Sequence, residues 1–218
     1  MSSYHMLTPD QVAQIFEILL QENPNPKTEL IAPNDYAFAI AVLLSAQSTD
    51  KAVNKATKEL FKIADTPEKM LNLGFENLRN YIKTIGLFNN KAKYIIELSG
   101  VLVSKFNSRL PKSISELERL PGIGRKSARV IANTLYNEPV IAVDTHVFRV
   151  SRRLGITNAN TVENVEIDLE TLVPQRYKLH ASNLLVLHGR YVCLAKKPKC
   201  SECKLNKICE FAHTFDKG

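Results

Sequence analysis

All four cysteines of the chain lie close together in its C-terminal part, at Cys193, Cys200, Cys203 and Cys209. A secreted protein held by disulfides has its cysteines spread along the chain, whereas four in one short segment are typical of a metal site. Their thiolates suit either a zinc ion or an iron–sulfur cluster, and the spacing does not separate the two. Such a site can also be purely structural, because it fastens a segment too short to form its own core.

The loop between the first two cysteines is rich in lysine, with Lys196, Lys197 and Lys199 placed around Pro198. Most lysine runs are simply solvated surface. A loop held at both ends by metal ligands is already ordered, however, so its lysines can contact a polyanion without a further entropic cost. We therefore expect these lysines to contact phosphate groups.

A glycine-rich turn lies between two predicted helices, where residues 120–126 read Leu-Pro-Gly-Ile-Gly-Arg-Lys. Gly122 and Gly124 let backbone amides approach an anion closely, and the following helix adds its positive N-terminal end. Together with Arg125, this unit can hold a phosphate group without reading a sequence. Since Gly-x-Gly also occurs in plain helix–helix turns, the prediction depends on the two adjacent basic residues.

Lys126 lies in the first turn of the second of these helices. A cation there opposes the helix dipole, and Arg125 adds a like charge, so both effects favour the neutral amine. A neutral lysine amine is a nucleophile that can form a Schiff base. The alternative is a second phosphate-binding lysine.

Asp144 follows a short apolar run, 139–143, and is predicted to be the N-cap of the next helix. A capping carboxylate can also be catalytic if its other face opens on a cleft. It would then stabilise positive charge on a sugar ring or accept a proton from a lysine. His146 and Arg149 lie on the same predicted helix, where either a phosphate contact or a helix-surface role is open.

The elements that must position these residues are helices. Apolar residues recur at helical spacing through nearly the whole chain, Thr8 and Pro9 begin the first helix, Ser113 and Glu116 form a capping-box pair, and Gly86 and Gly155 are helix stops. We find no strand alternation and no repeat, so the predicted fold class is all-α.

Composition agrees with a globular protein that binds a polyanion. The chain has 218 residues, a hydrophobic fraction of 44% and a formal net charge of +7. No apolar run reaches membrane-spanning length, and the first residues lack a signal-peptide pattern. We expect a cytoplasmic monomer with no membrane partner, and nucleic acid as the partner that the positive charge permits.

Together these motifs resemble the endonuclease III family, bacterial members of the helix-hairpin-helix DNA glycosylase superfamily. The resemblance covers nearly the whole chain. Its markers, in order, are residues 43–50, residues 82–87, the hairpin with Lys126, residues 143–146, residues 187–191 and the four cysteines.

The resemblance implies a fold of two helical lobes with the DNA site in the cleft between them. One lobe is a six-helix barrel at 28–138, with the helix-hairpin-helix at about 113–135. The other combines 1–27 with 139–218 and holds a [4Fe–4S] cluster on the loop 193–209, with zinc as the less favoured metal. The partner is damaged double-stranded DNA, which places the protein on the bacterial nucleoid.

The resemblance also implies an activity. The enzyme would remove oxidised or ring-damaged pyrimidines with Lys126 as nucleophile and Asp144 as its carboxylate partner, and then cut the abasic site by β-elimination. Gln47 and Leu87 match the family positions that enter the duplex where the damaged nucleotide leaves. The alternative interpretation is that Gln47 is an ordinary surface residue and Leu87 an ordinary core residue.

Two rival functions remain open at this point. An adenine-removing glycosylase of the same superfamily would lack the nucleophilic lysine and carry a further C-terminal domain, whereas here Lys126 is present and the sequence ends soon after Cys209. A non-enzymatic DNA-binding module fastened by a metal would explain the charge, the hairpin and the cysteines. It would leave the pairing of Lys126 with Asp144 as a coincidence.

Overall fold

The computed structural model describes residues 7–215, with side chains through Ala212, and every regular element in that range is a helix. This confirms the predicted all-α class. The chain divides into two compact units, one formed by residues 29–136 and the other by residues 1–28 together with 137–218. Among the described residues, no helix is both long and apolar enough to cross a membrane.

The unit at 29–136 contains six longer helices and one of a single turn within its range. They are α2 (Asp35–Ser45), α3 (Asp50–Ile63), α4 (Pro67–Leu73), α5 (Phe75–Ile82), α6 (Phe88–Lys105), α7 (Ile114–Leu117) and α8 (Arg125–Tyr136). Helix α2 is buried on every side from Tyr36 to Leu44. Because it is apolar all round, it can pack against α3, α6 and α8 at once and forms the centre of this core.

The second unit joins the first helix to the C-terminal part of the chain. Its helices are α1 (Pro9–Glu22), α9 (Thr145–Leu154), α10 (Val162–Leu172), α11 (Gln175–Tyr191), a 3-10 turn (Cys200–Glu202) and α12 (Glu210–Phe215). The apolar face of α1 packs against α11, where the rings of Phe16 and Tyr177 stack with centroids 5.9 Å apart. Helix α1 and the helices that follow residue 144 therefore share one hydrophobic core.

The predicted helix boundaries hold in most places and fail in two. Thr8 and Gln11 form a capping box with Pro9 at the first position, and Gly155 ends α9 in a left-handed conformation with φ 88°. The predicted capping box at Ser113 is wrong, because the Ser113 hydroxyl pairs with that of Ser115, 2.8 Å away, and makes no cap bond. Helix α5 ends at Ile82 rather than at Gly86.

Candidate functional site

The glycine-rich turn connects α7 to α8 and is anchored in the core of its unit by two apolar side chains. Leu120 and Ile123 are each 3% exposed, and the backbone N–H of Ile123 donates to the carbonyl of Leu120. Arg125 and Lys126 begin α8 and are both exposed. The Lys126 amine is therefore held at the surface of this unit, next to the N-terminal end of a helix.

The two glycines of the turn have different structural roles. Gly122 has a φ of 75°, and a Cβ built there would lie 2.7 Å from Cβ of Tyr94 and 2.8 Å from Cδ1 of Leu43. Only glycine fits that position, because both the backbone angle and the packing exclude a side chain. Gly124 has nothing within 4 Å of its missing Cβ, and its carbonyl accepts the first helical bond of α8, from Ala128. Its outer face is thus open to a backbone-sized ligand.

Gln47 and Leu87 lie in two turns of the same unit, and both have left-handed backbone angles, φ 56° and 57°. Gln47 follows the end of α2, and Leu87 immediately precedes α6. Leu87 is 59% exposed, so the alternative of a core leucine does not hold. An ordered, exposed leucine with a strained backbone is unusual enough to suggest a functional reason.

Asp144 is the N-cap of α9, as predicted. Its Oδ1 atom accepts the backbone N–H groups of His146 and Val147, each at 2.8 Å. The segment that precedes it has no regular structure but is buried at 141–143. The backbone N–H of Ala142 donates to the Ser182 hydroxyl at 2.8 Å, which ties this segment to α11. The carboxylate is therefore fixed on both sides by backbone contacts.

The structure gives His146 and Arg149 partners within their own unit. Arg149 donates to the carbonyls of Gly189 and Cys193 at the end of α11, and its Nη2 lies 3.2 Å from Nδ1 of His146. Burial lowers the pKa of His146; the charge of Asp144 opposes that shift, and the charges of Arg149 and Arg190 add to it. These contacts assign both residues a part in joining α9 to α11, and a phosphate contact stays a prediction.

The four cysteines line one cavity in their unit. They share it with apolar side chains, with His188 and with the loop residues Pro198 and Lys199. None of the four forms a disulfide. Within the described part of the chain, no three His, Cys, Asp or Glu side chains are arranged around a single ion position.

Ionised cysteine thiolates are unfavourable in this cavity when no cation is bound to them. Burial raises the pKa of Cys203 to about 11, with further increases from the neighbouring thiols of Cys209 and Cys193, and burial also raises the pKa of Cys209. Four thiolates in this cavity would need compensating positive charge. The donor set therefore fits a cationic metal centre, in which sulfur is the preferred ligand.

Arg153 is a site residue that sequence reasoning missed. Its guanidinium donates to the carbonyls of Leu194 and Ala195 at 2.7 and 3.0 Å, lies 3.5 Å from the sulfur of Cys193, and stacks over the Phe211 ring at 4.5 Å. It thereby holds the start of the lysine loop, the segment between Cys193 and Cys200. Lys196, Lys197 and Lys199 are all exposed on this ordered loop. The spacing of Arg149 and Arg153, one helical turn apart, was the signal available in the sequence.

Comparison with known proteins identifies the family to which this helical chain belongs. The family model described as HhH-GPD superfamily base excision DNA repair protein matches residues 40–175, more than half of the chain. An endonuclease III of Rickettsia felis is 50% identical over 200 residues, which are 92% of this chain and 94% of that protein. An endonuclease III of Escherichia coli K12 is 46% identical over 203 residues, covering 93% and 96%.

A solved structure agrees with these relatives. The chain superposes with a TM-score of 0.92 and 38% identity on a trapped endonuclease III–DNA covalent intermediate in an estranged-adenine complex, covering 97% of this chain and 100% of that one. The chain therefore belongs to the HhH-GPD superfamily of base excision DNA repair proteins and, within it, to the endonuclease III family.

Proposed function

We propose that this protein is a bifunctional DNA glycosylase and abasic-site lyase that removes oxidised or ring-damaged pyrimidines from duplex DNA. The observation that carries the proposal is Lys126, an exposed amine in the first turn of α8 directly after an anion-accessible Gly-x-Gly turn. A solved relative was trapped as a covalent intermediate with DNA, which supports a nucleophilic mechanism for this chain.

The first chemical step replaces the base by the lysine. The damaged nucleotide must leave the base stack, at a cost of a few kcal/mol that is smallest where damage has already weakened stacking. The Lys126 amine then attacks C1′ of the sugar, and the glycosidic electron pair leaves with the base. Asp144 stabilises the positive charge that develops on the sugar or takes a proton from the lysine, for which its second carboxylate oxygen is suited because Oδ1 is used as the helix cap.

The second step cuts the strand. Opening of the sugar ring gives a protonated Schiff base between Lys126 and C1′, which acidifies the C2′ proton. Loss of that proton expels the 3′ phosphate, and hydrolysis then frees the lysine. No redox partner is needed, because the bonds formed and broken balance in each step.

The remaining predicted residues bind DNA in this proposal. Gly122, Gly124 and Arg125 hold the backbone at the hairpin, and Lys196, Lys197 and Lys199 do so at the cysteine loop, with His146 and Arg149 as further candidates. Gln47 and Leu87 fill the space that the extruded nucleotide vacates. The proposal places the protein, as a monomer, on the DNA of a bacterial cytoplasm.

The four cysteines would hold one [4Fe–4S] cluster. The four cysteines line one cavity together, so their thiolates could supply the four ligands that such a cluster needs. Bound there, the cluster supplies cationic charge that offsets the thiolates and fastens the lysine loop. The base-removal chemistry belongs to Lys126 and Asp144.

The function is tested with a set of duplexes, each carrying one lesion. Purified protein should release thymine glycol and cut the strand on its 3′ side. A protein that binds these duplexes without releasing any base or cutting any strand would be a DNA-binding module. Release of adenine from mismatches without strand cleavage would instead indicate an adenine-removing glycosylase of the same superfamily.

A further inference from the structure

Lys91 is a cation buried inside the unit at 29–136. It lies in the first turn of α6 and is 5% exposed, on the same face as the core residues Ala92 and Ile95. Burial of an ammonium group is costly unless it is paired or hydrogen-bonded. A methionine or leucine would fill a core position at lower cost, so a specific task is expected for this lysine.

The ammonium group satisfies the C-terminal end of α2. Its Nζ donates to the carbonyl of Leu44 at 2.9 Å and to that of Ala46 at 2.6 Å. The carbonyl between them, that of Ser45, accepts the backbone N–H of Ser48. A cation is favoured at this end of a helix because it interacts with the helix dipole. Lys91 thus fixes the backbone immediately before Gln47.

The same residue is linked to the turn that carries Leu87. The backbone N–H of Lys91 donates to the Leu87 carbonyl at 3.0 Å, which forms the first turn of α6. The two turns also touch, since a Cβ on Gly86 would lie 3.8 Å from the carbonyl oxygen of Gln47. Through its side chain and its backbone, Lys91 therefore connects Gln47 and Leu87, both of which are exposed and have left-handed backbone angles.

We propose that Lys91 is a positioning residue that holds Gln47 and Leu87 at a fixed spacing for insertion into the DNA duplex. This inference rests on the proposed function. Both turns keep strained backbone angles that the surrounding structure must enforce. Without the ammonium, the carbonyls of Leu44 and Ala46 lose their donor, and the turn at Gln47 can relax away from Leu87.

The test compares two substrates in Lys91→Met, which keeps most of the length of the side chain and removes the donor. A thymine glycol duplex requires insertion, whereas a single-stranded abasic oligonucleotide has no base to extrude and no stack to open. We expect base release from the duplex to fall roughly tenfold to a hundredfold, the size expected for a misplacement of about 1 Å. Borohydride trapping on the single strand should stay within about twofold of the original protein.

The control is Lys93→Met on the same helix, where the lysine is exposed and its nearest acid, Glu97, is 3.8 Å away. It should leave both activities unchanged. An equal loss on both substrates in Lys91→Met would show a general structural role and overturn the inference. So would unchanged base release.

A second variant covers the case in which Lys91→Met does not fold. Lys91→Gln keeps a shorter neutral donor, and we expect the same selective loss to a smaller degree. If neither variant folds, Lys91 is needed for the core and the positioning role is rejected. If the unsubstituted protein acts on neither substrate, the proposed function itself is wrong. That result is distinct from a failure of the Lys91 inference, in which the unsubstituted protein is active.

Discussion

The Asp144 carboxylate caps α9 by accepting the Val147 backbone N–H at 2.8 Å, and the His146 N–H reaches the same oxygen atom. Within residues 7–215, all hydrogen bonds to this carboxylate go to that one oxygen, Oδ1. One side chain can therefore have two roles, since Oδ1 fixes the orientation of the group and Oδ2 is left for the chemistry. The two roles can be separated by substitution.

Asp144→Asn should separate them. Asparagine caps a helix about as well as aspartate, so the melting temperature should change little. Turnover should fall by about a hundredfold or more, because the charge that assists the reaction is lost. Asp144→Ala should lose both, with an added stability loss of about 0.5–2 kcal/mol. Thermal unfolding and base-release rates on one duplex measure the two effects, and normal turnover by Asp144→Asn would remove the carboxylate from the mechanism.

Gly122→Ala should damage the fold of the hairpin. The new methyl group would meet Tyr94 and Leu43 below 3 Å at a positive φ, and the expected loss of stability is about 1–3 kcal/mol. Gly124→Ala is the matched control for folding, since nothing lies within 4 Å of its Cβ. It should lose less stability but bind DNA more weakly. Denaturant unfolding and DNA titration distinguish them; equal unfolding midpoints would contradict the packing argument.

Replacing Lys196, Lys197 and Lys199 together by alanine should reduce the salt dependence of DNA binding. The slope of log K against log salt should become shallower by about 0.9 for each phosphate that the loop no longer neutralises. A matched triple variant changes exposed lysines elsewhere, at Lys58, Lys93 and Lys105. If both triple variants alter the slope equally, the loop has no special part in binding and only net charge matters.

Removal of the metal centre should unfold the C-terminal segment. The purified protein should contain iron and sulfide in equal amounts and show broad visible absorbance. Cys203→Ser should lose that absorbance and lower the melting temperature, since one of the four ligands that would hold the segment 193–209 to the metal centre is removed. Zinc in place of iron, at one ion per chain, would contradict the cluster assignment.

Local signals in the sequence were enough for much of this structure. Thr8 with Pro9 marks the start of α1, Asp144 marks the start of α9, and Gly155 marks its end, because caps depend on residues a few positions apart. Ser113 carried the same signal and failed, since Ser115 offered its hydroxyl a nearer partner. Short-range patterns therefore indicate which bonds are possible but not which one forms.

The contacts that the sequence did not reveal are long-range. Arg153 reaches carbonyls about forty positions away, and Lys91 reaches the end of α2 at a similar separation. The sequence does contain a signal for Lys91, because this charged residue lies on the apolar face of α6 between Phe88 and Ile95. A charge at a core position predicts a buried partner without identifying it.

In the proposed mechanism the Lys126 amine forms the covalent bond to DNA. Borohydride trapping on a thymine glycol duplex measures this bond most directly, with Arg125→Ala as a neighbour that should weaken DNA binding but keep the adduct. We predict a trapped protein–DNA adduct in the original protein and none in Lys126→Ala that is folded and binds the duplex. An adduct of normal yield in Lys126→Ala would contradict the account.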